Sequence, residues 1–221
     1  MMLCVDLLLF GATRGVGFLL AEQARARGES VAVMARPGSD ISRLRALGVK
    51  ITEGDAFNLP DCEAALRAAS PKRAISVLGG KNPQGRRVDA EGNINVIHAL
   101  ENFGSIERFV LMTSLGCGEQ YNGMSGNAKK YLGEALCAKT VAENVLRKSE
   151  LPWSIVRPGG LSNEPPSGDF CLLEEADRSR SGYVARADVA TATFAVLNDE
   201  RWLYRVATIQ RKTESENQHV A

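Results

Sequence analysis

LLLFGATRGVG, residues 7–17, runs four apolar residues into three glycines spaced GxxxGxG, with Arg14 between the first two. The segment that follows, FLLAEQARARG, carries the apolar spacing of an amphipathic helix. A strand that ends at a glycine and a helix that begins on two more is the arrangement that receives a pyrophosphate. Gly11 permits the tight turn, Gly15 and Gly17 let the backbone approach, and the unpaired N–H groups of the helix start face the charge. Glycine spacing alone would be weak evidence; its strand, its helix and a second strand ending near residue 35 make it a dinucleotide site. Gly11, Thr13, Arg14, Gly15, Val16 and Gly17 are therefore read as cofactor-binding.

Outward from this turn, short apolar or β-branched runs alternate with stretches of helical period, the pattern of βαβ units on a parallel sheet. Strands are predicted at Leu7–Phe10, Val31–Ala35, Lys50–Glu53, Ala74–Leu78, Arg108–Thr113 and Ser154–Arg157, with a last one near Tyr204–Ile209. Helices are predicted to begin near Gly15, Ile41, Pro60, Gly85, Asn127 and Asp188. Six or seven strands with crossover helices make an α/β, doubly wound Rossmann fold with a mostly parallel sheet. One domain is expected over 1–210, followed by a polar tail, 211–221. Two stretches interrupt the alternation. Residues 116–126 (GCGEQYNGMSG) are read as too rich in glycine to be helical, and 162–182 carry Pro165, Pro166 and a charged segment. Both leave the carboxyl ends of strands, where open α/β sheets place ligands, and are expected to shape a substrate pocket.

Bulk composition narrows the function. The 221 residues suffice for one well-buried domain. A formal net charge of +1 without blocks of like charge leaves no electrostatic footprint for nucleic acid or a membrane surface. The five cysteines are odd in number and lack CxxC spacing, so neither a disulfide framework nor a metal site is indicated, and a reducing cytoplasm fits best. The apolar start MMLCVDLLLF lacks a basic n-region and is read as the first strand; no run approaches the length of a membrane span.

The choice of cofactor should show at the end of the second strand, where an acidic residue would accept the ribose hydroxyls of NAD. VAVMARPGSD instead offers Arg36, with Ser39 after it. A guanidinium there can grip a 2′-phosphate in a bidentate fork, and Arg14 can reach the same phosphate from the turn. The cofactor expected is NADP(H).

The chain resembles the atypical short-chain dehydrogenases of the NAD(P)H-binding, NmrA-like branch, which includes biliverdin and flavin reductases. The resemblance covers roughly residues 5–200. It rests on GATRGVG, Gly54-Asp55, MTSLG, the block AKTVAENVLRKSELPWSIVRPGGL (138–161) and VARADVATATFAVL (184–197). It implies that Asp55 and Ala56 border the adenine, that Leu78 and Gly79 flank the cofactor, and that Pro158, Gly159 and Leu161 back the nicotinamide. It also implies Ser114 as the active-site serine and Lys139 as the lysine that holds the ribose. One element departs from the orthodox pattern: four residues before Lys139, where a tyrosine would stand, is Ala135. Tyr131 lies eight residues before Lys139, roughly 12 Å along a helix, too far to replace it directly. Tyr121, in the glycine-rich loop, is the other phenol that could fold over the site.

Ser114 is a poor acid near neutral pH, so hydrogen bonding or relay of a proton from water is its expected part, against the alternative of a turn serine. His98 sits within a predicted helix and is read as packed or half-exposed; His219 lies in the tail. Lys81 in GGKNPQG could meet an acidic group or simply face water. Cys117 lacks a histidine to activate it, and Glu174-Glu175 read as surface charge.

The function expected is an NADPH-dependent oxidoreductase passing hydride to a small conjugated acceptor: flavin, bilin, quinone or enone. Such an acceptor can take its proton from solvent, whereas an alcohol dehydrogenase needs a positioned acid. The alternative is a non-catalytic NADP(H) sensor or assembly factor, which would also keep the turn and lose the acid. A nucleotide-sugar epimerase would need the Tyr/Lys pair and a larger C-terminal lobe. The expected partner is a small-molecule substrate, with the protein a monomer or homodimer.

Overall fold

The computed structural model describes residues 4–213 and 216; His219 and most of the predicted polar tail lie outside the described residues. The chain builds β1 (Leu7–Phe10), α1 (Gly15–Ala26), β2 (Val31–Ala35), α2 (Ser42–Ala46), β3 (Lys50–Glu53), α3 (Leu59–Ala69), β4 (Arg73–Ser76), α4 (Glu91–Phe103), β5 (Arg108–Met112), α5 (Gly126–Leu146) and β6 (Trp153–Pro158). β7 (Gly160–Ser162), β8 (Phe170–Leu173), β9 (Tyr183–Ala185), α6 (Arg186–Asn198) and β10 (Val206–Arg211) complete it. Eight strands form one sheet in the order β3-β2-β1-β4-β5-β6-β10-β8, while β7 and β9 pair separately. Every neighbour in the large sheet is parallel except β8, which runs antiparallel to β10. This is a doubly wound α/β fold, and its order reverses between β1 and β4, the topological switch point.

Strand alternation splits the core into two layers. Leu7, Leu9, Val31, Val33 and Ile75 point to α1 and α6; Leu8, Phe10, Ala32, Met34 and Ala74 point to α3, α4 and α5. The four residues of β1 are all buried, as a strand covered on both faces requires, whereas edge strand β3 begins and ends exposed. Helix α1 lies unusually close to β1. A Cβ on Gly17 would stand 2.3 Å from the carbonyl oxygen of Gly11, so only glycine fits.

Several boundaries differ from the sequence reading. β4 stops at Ser76, and Val77 and Leu78 peel from the strand toward the ligand crevice, although the Val77 N–H still donates to the Phe10 carbonyl. α4 begins at Glu91, not near Gly85, because Asn82 closes a turn with Gly85 and Arg86 and an antiparallel bridge joins Lys81 to Arg87. The segment 116–126 is not devoid of helix: Gly118–Gly123 form a 3-10 turn, anchored where the Gly118 N–H donates to Thr140 Oγ1. Six residues is long for a 3-10 run, and the bond to Thr140 helps to hold it. The segment 162–182 contains β8, so the sheet exceeds the seven strands expected. Gly168, at φ +70°, sits in the bend that precedes it. Arg211 belongs to β10 and not to the tail. Among the described residues no helix is long and apolar enough to cross a membrane.

Candidate active site

A cavity of about 590 Å³ opens at the switch point, along the carboxyl ends of the central strands. All the residues read from the sequence as cofactor-binding, together with Ser114 and Lys139, line it, from Gly11 and its turn through Arg36, Asp55 and Leu78 to Leu161. The local reasons differ. Gly11, at φ +89°, turns the chain directly beneath β4's end; a Cβ there would meet the Leu78 nitrogen at 3.2 Å. Gly15, at φ +55°, starts α1, whose first turn has neither a capping side chain nor an acidic residue. The turn therefore presents bare backbone donors to the cavity and fits a phosphate-bearing dinucleotide.

Arg14 and Arg36 are both exposed, and among the described residues neither pairs with a carboxylate. Ser39 lines the cavity beside them. Asp55 is held in an Asx turn, its Oδ1 accepting the Phe57 N–H at 3.0 Å, and the Ala56 carbonyl accepts Asn95 Nδ2 at 2.8 Å. These bonds fix the loop after β3 as one wall.

At the other end, Ser114 follows β5 and donates its hydroxyl to the Leu115 carbonyl at 3.1 Å. Lys139 reaches the cavity from α5 and pairs with Asp89, Nζ to Oδ1 3.0 Å. Asp89 was not anticipated. Its side chain is 2% exposed and also accepts the Gly80 N–H at 2.9 Å and Arg87 Nη1 at 3.2 Å. Arg87 in turn meets Glu134 at 3.1 Å, and Glu134 meets Lys81 at 2.6 Å. Lys81 thus ends an alternating chain of five charges that ties the loop after β4 to α5. The guanidinium of Arg87, and then the ammonium of Lys81, hold the Glu134 carboxyl down to about 2. Nothing in the sequence signals this chain, because its members lie on two segments some fifty residues apart. Arg186, at the start of α6, also lines the cavity and was not singled out.

The remaining candidates sit elsewhere. Tyr131 is 77% exposed and does not line the cavity. Tyr121 packs its hydroxyl toward Gly133 on α5, away from the site. His98 is exposed on α4. Cys117 is buried, and desolvation pushes its thiol up to about 11, which keeps it protonated and inert at neutral pH. Among the described residues no cluster of His, Cys, Asp or Glu is arranged to hold a metal.

Segments 116–126 and 162–182 do not line this cavity. They frame a second one of about 790 Å³, which meets the first across the Ser114–Leu115 step. Two of its arginines are neutralised in place, Arg205 by Glu174 at 2.6 Å and Arg180 by Asp177 at 3.1 Å and Glu216 at 2.6 Å.

Comparisons with known proteins place the chain by family and fold. A family described as NAD(P)H-binding matches residues 11–200. Among solved structures the chain is similar to ChuY, an anaerobilin reductase from Escherichia coli O157:H7, with 34% identity and a TM-score of 0.82 over 92% of this chain and 96% of that one. It is 28% identical to an uncharacterised chloroplastic protein of Arabidopsis thaliana across 93% of this chain and 76% of that protein. It is also 32% identical to sanguinarine reductase of Eschscholzia californica, across 55% of this chain and 43% of that enzyme.

Proposed function

This chain belongs to the NAD(P)H-binding family, and on that premise we propose that it is an NADPH-dependent reductase of a small conjugated acceptor. The observation that carries the reading is one cavity at the switch point. It joins a bare glycine turn, arginines that pair with no carboxylate among the described residues, and a serine and a lysine at its far end.

In this reading the backbone of residues 11–17 holds the pyrophosphate, while Arg14, Arg36 and Ser39 take the 2′-phosphate. Asp55 and Ala56 border the adenine, Leu78 and Gly79 flank the cofactor, and Pro158, Gly159 and Leu161 back the nicotinamide. The bound cofactor supplies the hydride. Lys139, fixed by Asp89, holds the cofactor's ribose beside the reacting end of the cavity. Ser114 can turn its hydroxyl from the Leu115 carbonyl to the acceptor and pass it a proton from water. With Ala135 four residues before Lys139, no phenol supplies that proton. This favours flavins, bilins, quinones and enones over simple alcohols and ketones. The likeness to an anaerobilin reductase supports a bilin among them.

The test is NADPH consumption by the purified protein with flavin, biliverdin, quinones and conjugated aldehydes, with NADH in parallel. Turnover on one class with NADPH preferred is the expected result. Tight NADPH binding without turnover on any would replace the reductase with a non-catalytic NADP(H) sensor.

A further inference from the structure

We infer that Arg186 is a side-chain ligand of the cofactor's pyrophosphate, exchanging Asn163 for it. The inference rests on the dinucleotide reading of the cavity and adds a residue from the opposite half of the chain.

Three arginines line the cavity without a carboxylate partner among the described residues: Arg14, Arg36 and Arg186. The first two come from the turn and from the end of β2. Arg186 comes from across the sheet: β9 leads into it, and it opens α6. Helix α6 packs on α1 in the same core layer, and Gln23 of α1 donates to the Ala187 carbonyl at 3.0 Å. That bond fixes the start of α6 against α1. The guanidinium lies over the first residue of α1: a Cβ on Gly15 would come 4.0 Å from Arg186 Nε.

Two features mark this as a place prepared for an anion. The first turn of α1 lacks a capping side chain and an acidic residue, so its N–H groups and the guanidinium face the same space with no negative charge between them. Among the described residues Arg186 makes a single side-chain hydrogen bond, from Nη1 to Asn163 Oδ1 at 2.7 Å. A guanidinium has five N–H donors, and a bond to a phosphate oxygen is roughly twice as strong as one to a neutral amide. An arriving pyrophosphate therefore displaces Asn163, one residue beyond β7, instead of competing with a salt bridge.

The position predicts a signature distinct from that of Arg36. Pyrophosphate is common to NADPH and NADH, so R186A and R186Q should weaken both by the same factor, roughly 10- to 100-fold, as expected for one lost charge-assisted bond. R186K should recover part of the loss. The measurement is the Kd of each dinucleotide by calorimetry, beside thermal melts to show that the variants fold. Unchanged affinity for both, or a loss confined to NADPH, overturns the assignment. N163A removes the resting partner and should leave NADPH binding equal or tighter. A loss matching that of R186A would mean that Arg186 acts through the 160–163 segment, which also overturns it. If the wild-type chain binds neither dinucleotide, the reading of the cavity falls, and this inference with it.

Discussion

Arg36 leaves the end of β2 with no carboxylate among the described residues to neutralise it, in the place where an NAD enzyme would put an acid. If it holds the 2′-phosphate, R36A should weaken NADPH roughly 10- to 100-fold and leave NADH within about twofold, read by fluorescence titration of each dinucleotide. Equal losses for both would remove the 2′-phosphate assignment. Ser114 calls for the opposite split. Its hydroxyl rests on the Leu115 carbonyl, a contact whose loss costs the fold little. S114A should therefore lower kcat about tenfold with NADPH affinity unchanged; an unaltered kcat would leave this serine a turn residue. Ser114 was named through the family resemblance of MTSLG, whereas Arg36 was legible because its chemistry is local: an arginine where an acid belongs. Asp89 and Arg186 were not, since a carboxylate or a guanidinium acquires meaning only from what stands opposite it.

At the scale of elements, the glycine turn shows how directly three residues can set a packing distance. A Cβ on Gly17 would lie 2.3 Å from the Gly11 oxygen and 2.8 Å from the Ala12 Cα, and both are backbone atoms that cannot swing aside. G17A must lift α1 from β1. The expected cost is about 1–3 kcal/mol, a fall in Tm of roughly 2–12 °C with weaker NADPH binding, measured by calorimetric melts with and without cofactor. A variant as stable as the parent would show that the helix start can shift freely. The segments after β5 and β6 taught the reverse. FCLL is only four apolar residues inside a charged stretch, too short to declare itself, and it becomes β8 because β10 offers an open antiparallel edge. Residues 118–123 coil because Thr140, on α5, supplies an acceptor for a glycine N–H.

The molecule as a whole is tied together behind the site by a charge that never meets water. Arg157 of β6 has a fully buried side chain and is shared between Glu143 of α5, 1% exposed, and Glu119 of the 3-10 turn, 69% exposed. Arg157 Nη2 meets Glu143 at 2.5 Å, and Thr113, beside Ser114, donates to the same carboxylate at 2.5 Å. R157M would strand the Glu143 charge in the interior. The expected loss is about 3–5 kcal/mol, or roughly 6–20 °C in Tm. E119Q, which removes only the solvent-facing partner, should cost no more than about 1 kcal/mol. Comparable losses from the two variants would place the strength of the network at Glu119 instead. Periodicity and turn chemistry determined on their own that the sheet is doubly wound, that the crevice lies beyond Gly11, and that the glycine turn and Arg36 border it. Those are local rules, since a run of four apolar residues ending in glycine folds much the same way wherever it stands. Only the tertiary structure decided that Asp89 holds Lys139, that Arg186 overhangs α1, and that the two irregular segments frame a second cavity. Each depends on side chains far apart in the chain being brought within 3 or 4 Å, a distance set by how helices pack on the sheet and not by any spacing along the sequence.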